Sequence, residues 1–350
     1  MNINQLIEDA RKEGCSDLHI TAGTAIAQRK FGTLYIREDV VPTLEEAQTM
    51  IFSLLTPNEI EIINQGKDLD IALSNDTCGR LRINVYHQRN NLACSIRLLA
   101  KEIPTLDEIG IDKNVLVNFA NRRSGMVLVT GPTGSGKSTT LASMIEHINE
   151  NMARHVITVE DPIEYIFAHK KAMIHQRQVG RDVDSFSSAL RSSLREDPDV
   201  IMVGEMRDFE TISAAITAAE TGHLVLSTLH TMSAAQTVER IISSCPISVR
   251  DTILLQFSSV LAGVVTQALV PLKDGTGRIP CTEVMINNKA IANLIREQKT
   301  NQINALLQSN MNSGMHTMAW SMMQAIKFGK ITRQAALDHY VSPEDLEKMF

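Results

Sequence analysis

The 350-residue sequence lacks an apolar run of the roughly 20 residues that a membrane-spanning helix needs. Its most apolar stretch, residues 260–272, is short and is interrupted by Thr266 and Gln267. Residues 1–12 are partly acidic and contain no apolar run, so they do not have the pattern of a signal peptide. These absences predict a cytoplasmic protein without a transmembrane segment.

Paired cysteines are also missing. None of the five cysteines has the Cys-x-x-Cys spacing, so the sequence indicates neither a zinc-binding subdomain nor a disulfide framework. We expect reduced thiols that mostly pack as small apolar groups. The five are Cys15, Cys78, Cys94, Cys245 and Cys281.

An excess of positive charge is a third absence. The chain has 34 Lys and Arg against 40 Asp and Glu, a formal net charge of −6 at pH 7. This acidity argues against a protein whose main task is to wrap a polyanion, and we expect no direct binding of nucleic acid. Hydrophobic residues make up 43% of the chain, which is ordinary for a folded protein.

The sequence divides into two parts with different patterns. Mixed helix and strand patterns cover residues 1–100, Pro104 and polar residues mark a linker at 101–112, and residues 113–350 form the remainder. In the first part, helical periodicity and strand alternation predict helices at 4–13 and 44–55 and strands at 69–73, 79–85 and 92–98.

After the linker, short apolar runs alternate with segments long enough for a helix. This alternation predicts an α/β domain in which helices cover a parallel sheet. From residue 252 onward we expect a largely helical region. The four runs lie at 126–130, 155–159, 200–203 and 224–228.

One motif follows the first of these runs directly. The sequence GPTGSGKS at 131–138 fits G-x-x-x-x-G-K-[ST], and a helix is predicted at 139–149. Its glycines let backbone N–H groups point at one anion, Lys137 would reach the β- and γ-phosphates, and the Ser138 hydroxyl would bind Mg²⁺. The strand–loop–helix context favours a nucleotide site over a chance match. The expected binding residues are Gly131, Pro132, Thr133, Gly134, Ser135, Gly136, Lys137, Ser138 and Thr139.

Acidic residues follow the next two runs, at the sheet edge where open α/β sheets bind ligands. They lie in the segment 160–164 and at Glu205, which follows Gly204. A carboxylate there could hold Mg²⁺ or polarise the attacking water. Solvated strand ends are the alternative for each taken alone.

Two histidines flank the last run. His223 and His230 are seven residues apart, which is no metal-ligand spacing. A role for His230 in sensing the γ-phosphate and a purely structural role remain equally open.

Several arginines are candidates to stabilise charge on a transferring phosphoryl group. A solubilising surface is the alternative for each, and the sequence does not choose among them. They are Arg80, Arg82, Arg89, Arg97, Arg191, Arg195 and Arg207.

Four segments together resemble the secretion ATPase superfamily, which powers type II secretion and type IV pili. Within it, the chain is most similar to the pilus retraction ATPases (PilT-like proteins). The likeness extends over nearly the whole chain. The segments are GPTGSGKSTT (131–140), ITVEDPIEY (157–165), LRSSLREDPDVIMVGEMRD (190–208) and AAETGHLVLSTLHT (218–231).

The resemblance implies a small N-terminal PAS-like α+β domain and a RecA-like P-loop ATPase domain with a helical C-terminal part. It implies a homo-hexamer that uses ATP and Mg²⁺ and reaches the inner membrane through a platform protein. Glu164 matches the catalytic glutamate, Glu205 the Walker B acid, and His230, with His223, the His box. Arg82 and Arg97 match arginines that reach the nucleotide phosphates.

The resemblance also bears on the direction of the motor. Assembly and secretion members usually carry a four-cysteine zinc subdomain and an extra N-terminal domain. We expect neither here, and hence no zinc, which favours retraction. The segment AIANLIRE at 290–297 resembles the retraction motif AIRNLIRE, with Ala292 in place of its first arginine. The alternatives are an assembly or secretion motor, a nucleotide-binding ring that regulates another motor, and a nucleic-acid translocase.

Overall fold

The computed structural model describes residues 2–75, 78–99 and 102–339, apart from the side chain of Asn75. These residues form two compact units. The N-terminal unit consists of the chain up to Glu102 together with Pro162–Ile166, and the second unit consists of Ile103–Asp161 and the chain from Phe167 onward. The predicted domain limits at residues 1, 100, 101 and 350 lie outside the described residues. The division into 1–100, 101–112 and 113–350 therefore stays a prediction.

The N-terminal unit contains a six-stranded sheet in which all described pairs are antiparallel, in the order β3-β2-β1-β6-β5-β4. Every helix and strand predicted in this region is present, and α3 is an additional helix. The elements are α1 (Ile3–Lys12), β1 (Asp17–Thr21), β2 (Ile26–Lys30), β3 (Thr33–Arg37), α2 (Leu44–Phe52), α3 (Pro57–Asn64), β4 (Leu69–Asn75), β5 (Gly79–Gln88) and β6 (Asn91–Leu98).

Side-chain alternation explains this sheet. In β5, Leu81, Ile83 and Val85 are fully buried, while the residues between them are partly exposed. Successive side chains of a strand point to opposite faces, so one face of β5 packs into the core and the other carries Arg80 and Arg82. The sheet therefore presents arginines on the face away from its own core.

The second unit is built around a seven-stranded sheet in the order β13-β12-β7-β11-β10-β8-β9. Six of these strands are parallel to their neighbours and β13 is antiparallel to β12. Its elements are α4 (Lys113–Ala120), β7 (Gly125–Thr130), α5 (Lys137–Asn151), β8 (His155–Glu160), β9 (Met173–Gln178), α6 (Phe186–Ser193), β10 (Val200–Val203), α7 (Phe209–Glu220), β11 (Leu224–Leu229), α8 (Ala234–Ser244), α9 (Arg250–Val260), β12 (Leu261–Pro271), β13 (Arg278–Ile286), α10 (Lys289–Arg296), α11 (Ile303–Ser309), α12 (Met318–Lys327) and α13 (Arg333–His339).

The four apolar runs after the linker are the parallel strands β7, β8, β10 and β11, as predicted. Every residue of β7, β10 and β11 is buried because helices cover both faces of the sheet. The carboxyl ends of these strands lie at one edge of the sheet, so the residues that follow them are brought together there.

The region after residue 252 differs from the sequence prediction. It was expected to be largely helical, but β12 and β13 form a long antiparallel pair before the helices resume at Lys289. The first ten residues of β12 are almost all buried, so the strand lacks the alternation that distinguishes a strand from a buried helix in sequence. Gly263 confirms how tightly it packs, since a Cβ there would lie 2.3 Å from Cζ of Phe119.

One buried carboxylate ties this strand pair to two helices. Glu283 of β13 is only 3% exposed, and its Oε1 accepts the backbone N–H of Ala234 at 2.8 Å. Its Oε2 accepts the N–H of Met318 at 3.3 Å. Ala234 and Met318 are the first residues of α8 and α12, where backbone N–H groups lack helical partners. Burial raises the pKa of Glu283, and the two backbone donors oppose that change.

Candidate functional site

The phosphate-binding motif forms the loop between β7 and α5. Gly131, Gly134 and Gly136 have φ values of 139°, 77° and 88°, which side chains disfavour. A Cβ at Gly131 would also lie 2.2 Å from the carbonyl oxygen of Gln267. The curled backbone at these three positions therefore needs glycine, and the first also leaves no room for a side chain.

Lys137 is held against this loop at the first residue of α5. Its side chain is buried, and Nζ donates to the carbonyl oxygens of Gly131 and Pro132, both at 2.9 Å. A buried ammonium group needs such acceptors, because unpaired burial of charge is costly. The loop thus brings a positive charge and a helix N-terminus to one place, the arrangement that binds phosphate.

Gln267 is a residue of the site that sequence reasoning missed. It lies in the middle of β12 and is 2% exposed. Its Nε2 donates to the carbonyl oxygen of Ser135 at 2.5 Å, and its Oε1 accepts the Thr140 hydroxyl at 3.0 Å. In the sequence, Gln267 is visible only as an interruption of an apolar run. A single amide in such a run was the one feature that could have marked this residue as part of the site.

The ends of β10 and β11 form a cavity of about 340 Å³. Glu205 follows β10, and its Oε1 lies 2.5 Å from Nη2 of Arg207. His230 follows β11, and its Nε2 lies 3.6 Å from Oε2 of Glu205, beyond hydrogen-bonding distance. The cavity is lined by Glu205, Met206, Arg207, Thr228, Leu229, His230, Thr231 and Arg240.

Electrostatics link this cavity to the phosphate-binding loop. Burial lowers the pKa of His230, and the positive charge of Lys137 lowers it further, while Glu205 acts in the opposite direction. Glu205 and His230 thus lie side by side in the cavity, and His230 is within range of the charge of Lys137. His230 is mainly neutral at pH 7.

His223 lies at the other end of β11, where its side chain contacts the end of α7. Its Nδ1 lies 2.9 Å from the carbonyl oxygen of Ala218 and 3.1 Å from the hydroxyl of Thr221. Both partners belong to the end of α7. The two histidines of the sequence prediction thus have different surroundings, and only His230 lines the cavity.

The remaining predicted site residues belong to the N-terminal unit. Arg82 pairs with Asp70 at 2.7 Å, and Arg97 pairs with Asp17 at 2.9 Å. Glu164 lies in the segment Pro162–Ile166 of the same unit. The catalytic roles assigned to these residues from sequence stay predictions.

A family model described as type II/IV secretion system protein matches residues 1–337 of the chain. The chain belongs to this family. It is similar to the type IV pilus retractation ATPase PilT of Pseudomonas aeruginosa, with 39% identity over 99% of this chain and 100% of that protein. A twitching motility protein of Neisseria gonorrhoeae is 44% identical over 83% of this chain and 78% of that protein.

The comparison with solved structures gives the same family. The crystal structure of the pilus retraction motor PilT with bound ADP superposes with a TM-score of 0.88 and 42% identity, and all of both chains is covered. The predicted fold class, with a RecA-like ATPase domain, is confirmed, as is the resemblance inferred from the four sequence segments.

Two buried atoms show that the site of this secretion-family protein suits a nucleotide and a cation. Among the described residues, no donor lies within hydrogen-bonding distance of Oε2 of Glu205, and Ser135 Oγ also lacks a partner. Native proteins seldom leave buried polar atoms unpaired without a functional reason. No described group of three His, Cys, Asp or Glu side chains is arranged to hold a metal by itself. A Mg²⁺ ion here would therefore need oxygen ligands from the nucleotide, as phosphate-transferring sites generally provide.

No helix in the described part of the chain is long and apolar enough to cross a membrane.

Proposed function

We propose that this member of the type II/IV secretion system family is a Mg²⁺-dependent motor that powers type IV pilus retraction. The protein is a P-loop enzyme that hydrolyses ATP. The observation that carries the proposal is the complete phosphate-binding loop beside the Glu205–His230 cavity, in a chain similar to retraction motors along its full length.

The phosphate-binding loop provides most of the binding of ATP. Residues 131–139, apart from Pro132, which has no N–H group, surround the phosphates with backbone N–H groups. Lys137 leaves the carbonyl oxygens of Gly131 and Pro132 to contact the β- and γ-phosphates. The hydroxyl of Ser138 serves as a ligand for Mg²⁺, which supplies positive charge at the phosphates.

Hydrolysis needs a positioned water as well. We assign this task to Glu164, whose carboxylate accepts a hydrogen bond from the water. The oxygen of the water attacks the γ-phosphorus, and ADP leaves. Glu205 completes the magnesium site through its unpaired Oε2, and His230 contacts the γ-phosphate as a neutral imidazole. Arg82 and Arg97 supply positive charge that stabilises the transferring phosphoryl group.

The motor acts as a homo-hexamer in the cytoplasm and binds the inner membrane through a platform protein. Opening and closing of subunits around the nucleotide would convert hydrolysis into rotation. The lack of Cys-x-x-Cys pairs supports retraction over the second candidate, an assembly or secretion motor.

The proposal is tested in cells whose only copy carries Lys137→Ala, with Glu164→Gln as a second variant. We expect excess surface pili that never shorten, because the motor no longer turns over ATP. Lys113→Ala is the matched control, since Lys113 is exposed and forms a surface ion pair with Asp107. Bald cells would instead establish an assembly motor. Unchanged pili would show that the protein serves another machine.

A further inference from the structure

The Gln267 side chain carries an inference about how the phosphate-binding loop is shaped. It is buried within an apolar strand, where an amide is unfavourable unless its hydrogen bonds are made. Both ends are used: Nε2 donates to the carbonyl of Ser135, and Oε1 accepts from Thr140. Because one partner is an acceptor and the other a donor, the amide, which carries both functions at the end of its side chain, satisfies both hydrogen bonds.

The bond to Ser135 fixes one peptide plane of the loop. The peptide group between Ser135 and Gly136 is planar and trans, so its C=O and N–H point in opposite directions. Gln267 holds the C=O against β12. The N–H of Gly136 must then point away from the strand, towards the inside of the loop.

Gln267 also touches the loop at both of its outer glycines. A Cβ at Gly136 would lie 3.1 Å from Nε2 of Gln267, and a Cβ at Gly131 would lie 2.2 Å from its backbone oxygen. Strand β12 thus packs closely against the first and last glycine of the loop. The Gln267 side chain donates a hydrogen bond from this strand to the loop at Ser135.

We propose that Gln267 is a positioning residue for nucleotide binding, which turns the Ser135–Gly136 peptide so that the Gly136 N–H faces the phosphates. It does not touch the nucleotide. Its removal should therefore weaken binding of the phosphates more than it slows the chemical step. This inference rests on the nucleotide-binding part of the proposed function and is independent of pilus retraction.

Gln267→Met is the sharpest test, because it keeps nearly the same volume and has no donor for the Ser135 carbonyl. We expect the Kd for Mg·ADP, measured by titration of the full-length chain, to rise roughly 10- to 100-fold. The KM for ATP should rise with it, while kcat at saturating ATP changes less.

Thr140→Val is the matched control. It removes the other hydrogen bond of Gln267 but leaves the bond to Ser135, so it costs stability without turning the loop peptide. We expect a lower melting temperature and a Kd for Mg·ADP within about threefold of the wild type. Gln267→Leu, which also lacks a donor, replaces Gln267→Met if the latter does not fold.

The outcomes distinguish a failure of the role proposed for Gln267 from a failure of the proposed function. Weak ADP binding by the Gln267 variants but not by Thr140→Val supports the proposal. Equal losses in all variants, or unchanged affinity in the Gln267 variants, would overturn it and leave Gln267 as an ordinary core residue. A wild-type chain that fails to bind Mg·ADP would instead refute the proposed function.

Discussion

The parallel strands β7, β10 and β11 contribute to the site differently from the antiparallel pair β12–β13. Each parallel strand places its functional group just beyond its carboxyl end, as with Glu205 and His230. The antiparallel pair contributes Gln267 and Glu283 from the interior of strands, where both are buried and bound to backbone groups of loops or helices. A side chain beyond the end of a strand can reach a ligand directly. A side chain within a strand instead holds in place the loop or helix whose groups contact the ligand.

This difference predicts two kinds of mutant. Replacing a residue at a strand end should change the chemistry and leave the stability nearly unchanged. Replacing one within β12 or β13 should change stability or loop position first. The predictions that follow test this division from the largest effect to the smallest.

Glu205→Gln should give the largest effect on turnover. It removes the charge of the unpaired Oε2, which the proposed function gives to the magnesium site. We expect kcat to fall roughly 10- to 1,000-fold, with a higher Mg²⁺ concentration needed for half-maximal rate and little change in melting temperature. Phosphate release at varied Mg²⁺ measures this. The control is Glu210→Gln, an exposed carboxylate 3.6 Å from Arg191, and equal losses in both variants would contradict the assignment.

His230 should give a smaller, pH-dependent effect. Burial and the charge of Lys137 hold the pKa of His230 below its ordinary value of about 6.5. On acidification the imidazole gains a proton and becomes a cation 3.6 Å from Glu205, which it would then draw away from the metal. We expect kcat of the wild type to fall severalfold below pH 6, and this acid limb to be weaker in His230→Gln. Parallel pH profiles for the two proteins would contradict the prediction.

Glu283→Gln should affect stability and leave kcat within about twofold. Burial raises the folded-state pKa of Glu283, so the stability associated with its protonated form is present at low pH and lost as the pH rises above about 4.5. Gln is uncharged at all these pH values, but its amide nitrogen cannot accept one of the two backbone N–H groups, so the variant should be less stable than the wild type at pH 5. Because only the wild type loses stability as its carboxyl ionises, the deficit of the variant should shrink between pH 5 and pH 7.5. Urea unfolding at the two pH values measures this, and a constant difference would show that Glu283 does not titrate on unfolding.

The sequence was sufficient to predict the strand-end residues. A phosphate-binding loop has fixed residue types at fixed spacing, because backbone curvature and phosphate binding restrict which side chains its positions accept. Glu205 and His230 follow short, mostly apolar strands, so their places beyond β10 and β11 could be deduced from topology.

The residues within β12 and β13 could not be predicted in the same way. The roles of Gln267 and Glu283 depend on partners that are distant in the chain. Gln267 binds Ser135, 132 residues away, and Glu283 binds Ala234, 49 residues away. Local periodicity carries no information on such distant pairs. The strands themselves were read as helical because burial on both faces removes the two-residue alternation.

The two carbonyl oxygens that receive the Lys137 ammonium have a consequence for selectivity. The Lys137 ammonium already has two hydrogen-bond acceptors. An anion that binds it must therefore replace these two peptide carbonyl groups. The free energy gained at Nζ is thus the difference between a phosphate oxygen and a peptide oxygen, which is small for a single weakly charged anion and larger for a polyphosphate. We therefore expect this arrangement to favour nucleoside di- and triphosphates over simple anions.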